Sequence, residues 1–292
     1  MKSCLGATAI LGTLMLTAVA PAQEWRMDAT YTWATNLSRT SYAPDRENGA
    51  LYDLTVAGAW HRQINADWLA TTEIDATAEQ VHPFPLLDNN SITGEVDLRR
   101  KFGLGPFAPT LTFSGKVGYV DYHDPDRSHD NFQLATTLGK RLTESWRVSA
   151  TGTWNDERAS AATYSIRNQR LAVETAWDIF EGCELSAGAS RWWGQLTANA
   201  NEDIFAQAEA GSLGPVVADY YRSVAHEHSN AYDTDWLAYR IDCRADFWWV
   251  GASYALNDNT SIPLRYESAY VVNRAQVSYR SEFWSLSVVH RF

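Results

Sequence analysis

Two-residue alternation is the feature that most constrains this chain, and it is clearest in the last ten residues. Trp284, Leu286, Val288, His290 and Phe292 fall on one face. Phe283, Ser285, Ser287, Val289 and Arg291 fall on the other. Successive side chains of a strand point to opposite faces. One face is therefore mostly apolar with an aromatic at each end, and the other is mixed. A membrane-barrel strand needs this arrangement, with lipid outside, lumen inside and aromatics at both water interfaces. Trp25 and Trp33, Trp146 and Trp154, and Trp284 and Phe292 repeat one eight-residue spacing. Eight residues at about 3.3 Å each, tilted by about 40°, cover roughly 20 Å, close to the apolar band of about 25 Å in such barrels.

The same pattern runs through the chain. Alternating segments lie at 25–35, 51–64, 68–79, 92–102, 111–119, 132–138, 146–154, 171–179, 185–193, 236–256, 264–270 and 283–292. Turn residues separate them at Asn65-Ala66-Asp67, Gly103 to Pro106, Thr143 to Ser145, Glu181-Gly182 and Asn257 to Asn259. Those five links are short, whereas the ones near 45, 86, 127 and 201–235 are longer, and those near 160 and 274 are short again. Short turns at one end and longer loops at the other predict a transmembrane antiparallel β-barrel of twelve strands. Ten or fourteen remain open, because the long segment 236–256 has room for a turn near Arg244. Closure of the barrel satisfies every backbone edge in lipid.

A terminal strand with this aromatic face resembles the C-terminal signature of bacterial outer-membrane β-barrel proteins. Trp284, Leu286, Val288 and Phe292 carry the likeness, and His290 departs from it. The resemblance implies that these residues form an assembly signal read by the barrel-assembly machinery, with outer-membrane lipid as the surrounding partner. The N-terminus agrees. Lys2 precedes an apolar stretch, Leu5 to Ala20, and Ala20-Pro21-Ala22 fits a cleavage site, so residues 1–22 read as a secretory signal peptide. Residues 23–292 are then a single barrel. Without residues 1–22 the net charge moves from −11 to −12, since Lys2 is the only charge lost. That argues against a nucleic-acid partner. Thirteen Trp, 14 Tyr and 10 Phe are many for so polar a chain, and two girdles would accommodate them. A homo-oligomer fits the class, but no stretch specifies a subunit interface.

If the apolar faces meet lipid, the lumen receives Glu73, Asp75, Glu95, Asp97, Arg99, Lys101, Lys116, Arg170, Glu174, Asp178, Arg265 and Glu267. These are the pore-lining candidates. Both signs are present, which suits either a water-filled pore or a lumen sealed by ion pairs. The long external loop 201–235 supplies constriction candidates Glu202, Asp203, Glu209 and Asp219, and the stretch from Glu202 to Gly211 has helix boundary signals. The leading function is a porin-type channel for passive diffusion of small hydrophilic solutes or ions. A non-conducting barrel with a binding or structural role comes second.

A lipid-modifying hydrolase comes third. Outer-membrane phospholipases and lipid A deacylases carry a His-x-Ser-Asn arrangement, with the His and Ser on one face of a strand. Here Ser229 directly follows His228 and lies three after His226, so neither shares its face. The chain is therefore expected not to be an enzyme, and no catalytic residue, metal or cofactor is assigned. His123, Asp124, Asp126, His129 and Asp130 crowd one external loop without metal-ligand spacing. In the twelve-strand register Cys183 and Cys243 sit at different heights, too far apart for the roughly 5.5 Å that a disulfide requires.

Overall fold

The computed structural model describes residues 22–201, 203, 210, 214–232 and 234–292. The expected signal peptide falls outside them but for Ala22, which opens the first strand. The strands are β1 (Ala22–Ala34), β2 (Gly49–Gln63), β3 (Trp68–His82), β4 (Asn89–Lys101), β5 (Thr110–Tyr122), β6 (His129–Arg141), β7 (Trp146–Ala159), β8 (Ile166–Phe180), β9 (Cys183–Asn201), β10 (His226–His228), β11 (Trp236–Asn257), β12 (Thr260–Asn273) and β13 (Ser278–Arg291). An α-helix, α1 (Gly214–Ser223), lies between β9 and β10. The three-residue β10 only extends the edge of β11. The other twelve strands pair antiparallel in chain order, β9 with β11, and β13 returns to β1. The barrel is closed. β11 runs unbroken past Arg244, which excludes the extra turn considered there.

Alternation decides which side chains meet lipid. On β13, Trp284, Leu286 and Val288 are about half exposed and face outward, while Ser285 and Ser287 face inward and bond Thr32 and Thr30 of β1 at 2.9 and 2.8 Å. These hydroxyl pairs line the closing seam. Aromatics gather at both ends of the outer face. Trp25 meets Trp60 at one end, and Trp248, Tyr266 and Trp284 stack at centroid distances of 5.1 and 4.5 Å. Arg100 also faces outward, and its guanidinium lies over Trp68 and Phe102. A cation at the membrane edge is tolerable in this way because it can reach water while its stem covers an aromatic ring.

Not all the aromatics join the girdles. Trp192, Trp236 and Trp249 turn inward. Trp248 and Trp249 are adjacent, as are Trp192 and Trp193, so one of each pair must point inside.

The β9–β11 hairpin outgrows the barrel wall. β8 leaves β9 at Gly194, and β12 leaves β11 at Cys243. Beyond those points the two strands cross the mouth as a ribbon. One ribbon face, through Leu196, Ala198, Tyr239 and Ile241, packs on Val217 and Tyr221 of α1 and on Val271 and Tyr279 of the wall. The other face meets the external loops. Asn199 N–H donates to Ser38 O, Thr197 Oγ1 donates to Thr163 O, and Asn201 N–H donates to Asp45 Oδ2. Gly194 makes the departure feasible. Its φ is +140°, and a Cβ there would lie 2.3 Å from Arg167 O.

Candidate functional site

Two regions of the interior carry chemistry: a charged belt in the barrel and a chamber beneath the ribbon. The belt is built by inward parity. Glu73 and Asp75 on β3 lie beside Glu95 and Asp97 on β4, with Glu73 opposite Glu95 in register. Arg26 on β1 donates to Asp28 at 2.8 Å and reaches Glu73 at 3.3 Å. Small residues below it, Ala57 and Ala59 of β2, leave room for that reach. Lys116 on β5 sits opposite Glu95.

Six places around the ring from β3 and β4 stand β9 and β11, and the charge there differs. Trp249 lies flat against the inner wall, 4% exposed, over Gly188, where a Cβ would collide with the indole. Arg170 lies 5.7 Å from its ring and Arg265 4.8 Å. The indole N–H donates to Glu174 at 3.2 Å, Arg170 donates to Ser190, and Arg265 pairs with Glu267. An acidic arc on one side thus faces an aromatic arc flanked by arginines on the other. Nearer the short turns, Arg147 pairs with Asp178 and Glu184, and Arg99 lines a recess with Arg141. Lys101 follows Arg99 on the same face of β4. All twelve pore-lining candidates therefore lie on the inner face. Sequence reading missed Arg26, Arg141, Arg147, Glu184, Phe247 and Trp249. Parity carries the signal for all of them, but the aromatics were all assigned to the girdles.

The chamber, of about 520 Å³, lies between the inner wall of β2 to β8 and the ribbon. Arg127, from the β5–β6 loop, ties its roof together. It pairs with Asp124 at 3.1 Å, donates to Asn199 Oδ1 at 3.0 Å and Ser229 Oγ at 2.9 Å, and lies over the Tyr164 ring. Tyr232 packs between Phe84 and Trp236 and donates to Leu37 O; burial pushes its hydroxyl up to about 12. Burial likewise raises Tyr164.

Neither a protein-family profile nor a curated protein sequence matches the chain. Solved structures do. An outer-membrane channel from Pseudomonas putida F1 aligns with a TM-score of 0.58 at 10% identity, over 94% of this chain and 97% of that one. The NanC porin aligns at 0.49 and 8% identity, over 90% and 98%. A FadL homologue from Pseudomonas aeruginosa aligns at 0.45 and 9% identity, over 92% and 90%. At such identities the likeness is one of fold. The chain folds as an outer-membrane β-barrel.

The remaining candidates find definite places in this barrel. Asp203 N–H bonds the Asn201 side chain, and Asp219 points to solvent, paired with Arg222 at 3.7 Å. Glu202 and Glu209 lie outside the described residues, as does most of the expected helix from Glu202 to Gly211. Ala210, within that stretch, is helical, and α1 starts later, at Gly214, where the sequence reading placed no helix. Ser229 is buried and accepts from the Arg127 guanidinium. In the β5–β6 loop Asp124 binds Arg127, and His129 approaches Glu157 at 3.8 Å. Among the described residues no group of three or more His, Cys, Asp and Glu could hold a metal. Cys183 and Cys243 are free; Cys183 stands opposite Tyr254 and Cys243 opposite Gly194, so their levels on the β9–β11 hairpin differ by eleven residues.

Proposed function

We propose that the protein is an outer-membrane channel for small hydrophilic solutes or ions. One observation carries this reading: the inner wall keeps an excess of carboxylates on β3 and β4, Glu73, Asp75, Glu95 and Asp97, opposite the Arg170–Trp249–Arg265 arc. A filled barrel has no need to set like charges side by side, because they repel and cost desolvation. A water-filled lumen tolerates them, and they attract counter-ions. The name of the Pseudomonas putida neighbour, an outer-membrane channel, is in keeping with this.

Conductance of the purified protein in planar bilayers tests the proposal. Open steps with a preference for cations are expected. Glu73→Gln combined with Glu95→Gln should lower that preference, and Trp249→Ala should raise the conductance by clearing the inner wall. A folded, heat-modifiable barrel that stays silent would move the assignment to a non-conducting barrel. The wall-bracing pairs of Arg26 and Arg147 and the ribbon across the mouth favour that second reading.

A further inference from the structure

We infer that the chamber beneath the ribbon is a binding site for a zwitterionic α-amino acid with an apolar side chain. The argument starts from its charges. Arg39, from the β1–β2 loop, is exposed and lines the edge of the chamber, and among the described residues its guanidinium makes one bond, to Thr197 O at 3.4 Å. Among the described residues no carboxylate pairs with it. Arg127, the second guanidinium, is already neutralised by Asp124. On the facing wall Glu79 of β3 lines the chamber, with Asp53 of β2 opposite it in register. Glu79 accepts from Asn89 at 2.6 Å. Among the described residues no basic side chain pairs with either acid. Arg39 and Glu79 both line the chamber; its other lining carboxylate, Glu157, accepts from Asn155 at 2.7 Å and lies 3.8 Å from His129.

A cation exposed at the chamber's edge and a half-buried acid pair on its wall, each without a paired counter-charge among the described residues, fit a ligand that brings both signs. A carboxylate would take the guanidinium, and an ammonium would take the acid pair. Leu37, Leu51, Val81 and Leu87 form an apolar patch on the same wall as Asp53 and Glu79, and they provide for the side chain. The volume lies within the range of about 300–1,000 Å³ typical of small-molecule sites. The inference deepens the channel reading, since it names a substrate class and rests on that reading for transport.

The test is binding to the folded full chain in detergent, by calorimetry, with L-leucine as probe and isovalerate and isoamylamine as its two halves. Leucine should bind at least about tenfold more tightly than either half, the scale of one lost charged hydrogen bond. Arg39→Gln should abolish the advantage of leucine over isoamylamine. Glu79→Gln should abolish its advantage over isovalerate. Heat-modifiable migration of each variant establishes that it is folded. Equal binding of leucine and one half, or unchanged leucine binding in both folded variants, would overturn the site. Leucine binding by a protein that is silent in bilayers supports the site and removes the channel reading. A conducting protein that ignores leucine removes the site alone.

Discussion

Gly194 shows how one residue shapes the mouth. Its backbone occupies a region that favours glycine, and a methyl group would meet the Arg167 carbonyl. Gly194→Ala should therefore cost about 1–3 kcal/mol in local strain. The barrel below should keep its heat-modifiable migration, while proteolysis between residues 196 and 241 accelerates; an unchanged digestion pattern would argue that the ribbon does not depend on this departure. Val288 tests the opposite face. It is about half exposed on the lipid side of β13, so Val288→Arg should destabilise the barrel by about 2–4 kcal/mol if it lies near the bilayer midplane. Ser285→Arg, on the lumen side, should cost less. A reversed order in a urea titration would mean that the two faces are inverted.

At the scale of elements, the ribbon is held by polar ties sensitive to protonation. Glu227 of β10 is raised by burial, then by Asp126 and Asp124, with Arg127 opposing. Asp45, which accepts from Asn201 N–H, is raised by burial and by Asp203. A carboxyl whose folded value is raised opposes the closed arrangement when ionised. That opposition disappears as pH falls through the raised value. The ribbon should therefore sit more firmly at mildly acidic pH than at pH 7. Amide exchange in β10 and in the upper part of β11 should slow on acidification, after correction for the intrinsic rate. Glu227→Gln should be protected at pH 7 and lose most of the pH dependence. Equal pH dependence in the variant would exclude Glu227 as the source.

For the whole molecule, the question is whether the ribbon and its loop limit passage. Replacing residues 201–230 by a short Gly/Ser link removes α1 and β10 and frees the apolar face of Leu196, Tyr239 and Ile241. It also takes away Ser229, one anchor of Arg127. Conductance should rise in a variant that still migrates as a folded barrel. Selectivity should change little if the acidic arc on β3 and β4 sets it, because Asp219 points to solvent and its charge is screened within roughly 8 Å at physiological salt. Unchanged conductance would make the ribbon a cap that leaves the pathway clear.

The barrel itself was legible in the sequence because parity is a local property. Once Trp284, Leu286 and Val288 face lipid, closure of the ring forces the rest, and twelve alternating segments with five short turns suffice for the strand count. Glu73, Asp75 and Arg170 follow by counting in twos. The ribbon and the chamber were not legible, because they depend on where pairing stops. The ninth segment reads as a strand only to Trp193 and the tenth as one unbroken strand, and nothing in their alternation says that the two run on together as a ribbon beyond Gly194 and Cys243. Arg39, Arg127 and Tyr232 come from three separate loops, and the helix on the ribbon starts where no boundary signal stood out. Loops and ribbon meet only after the ring has closed, so their partnerships are long-range contacts with no periodicity in the chain. Sequence determined which face each residue shows, and tertiary structure decided which of those faces enclose a site.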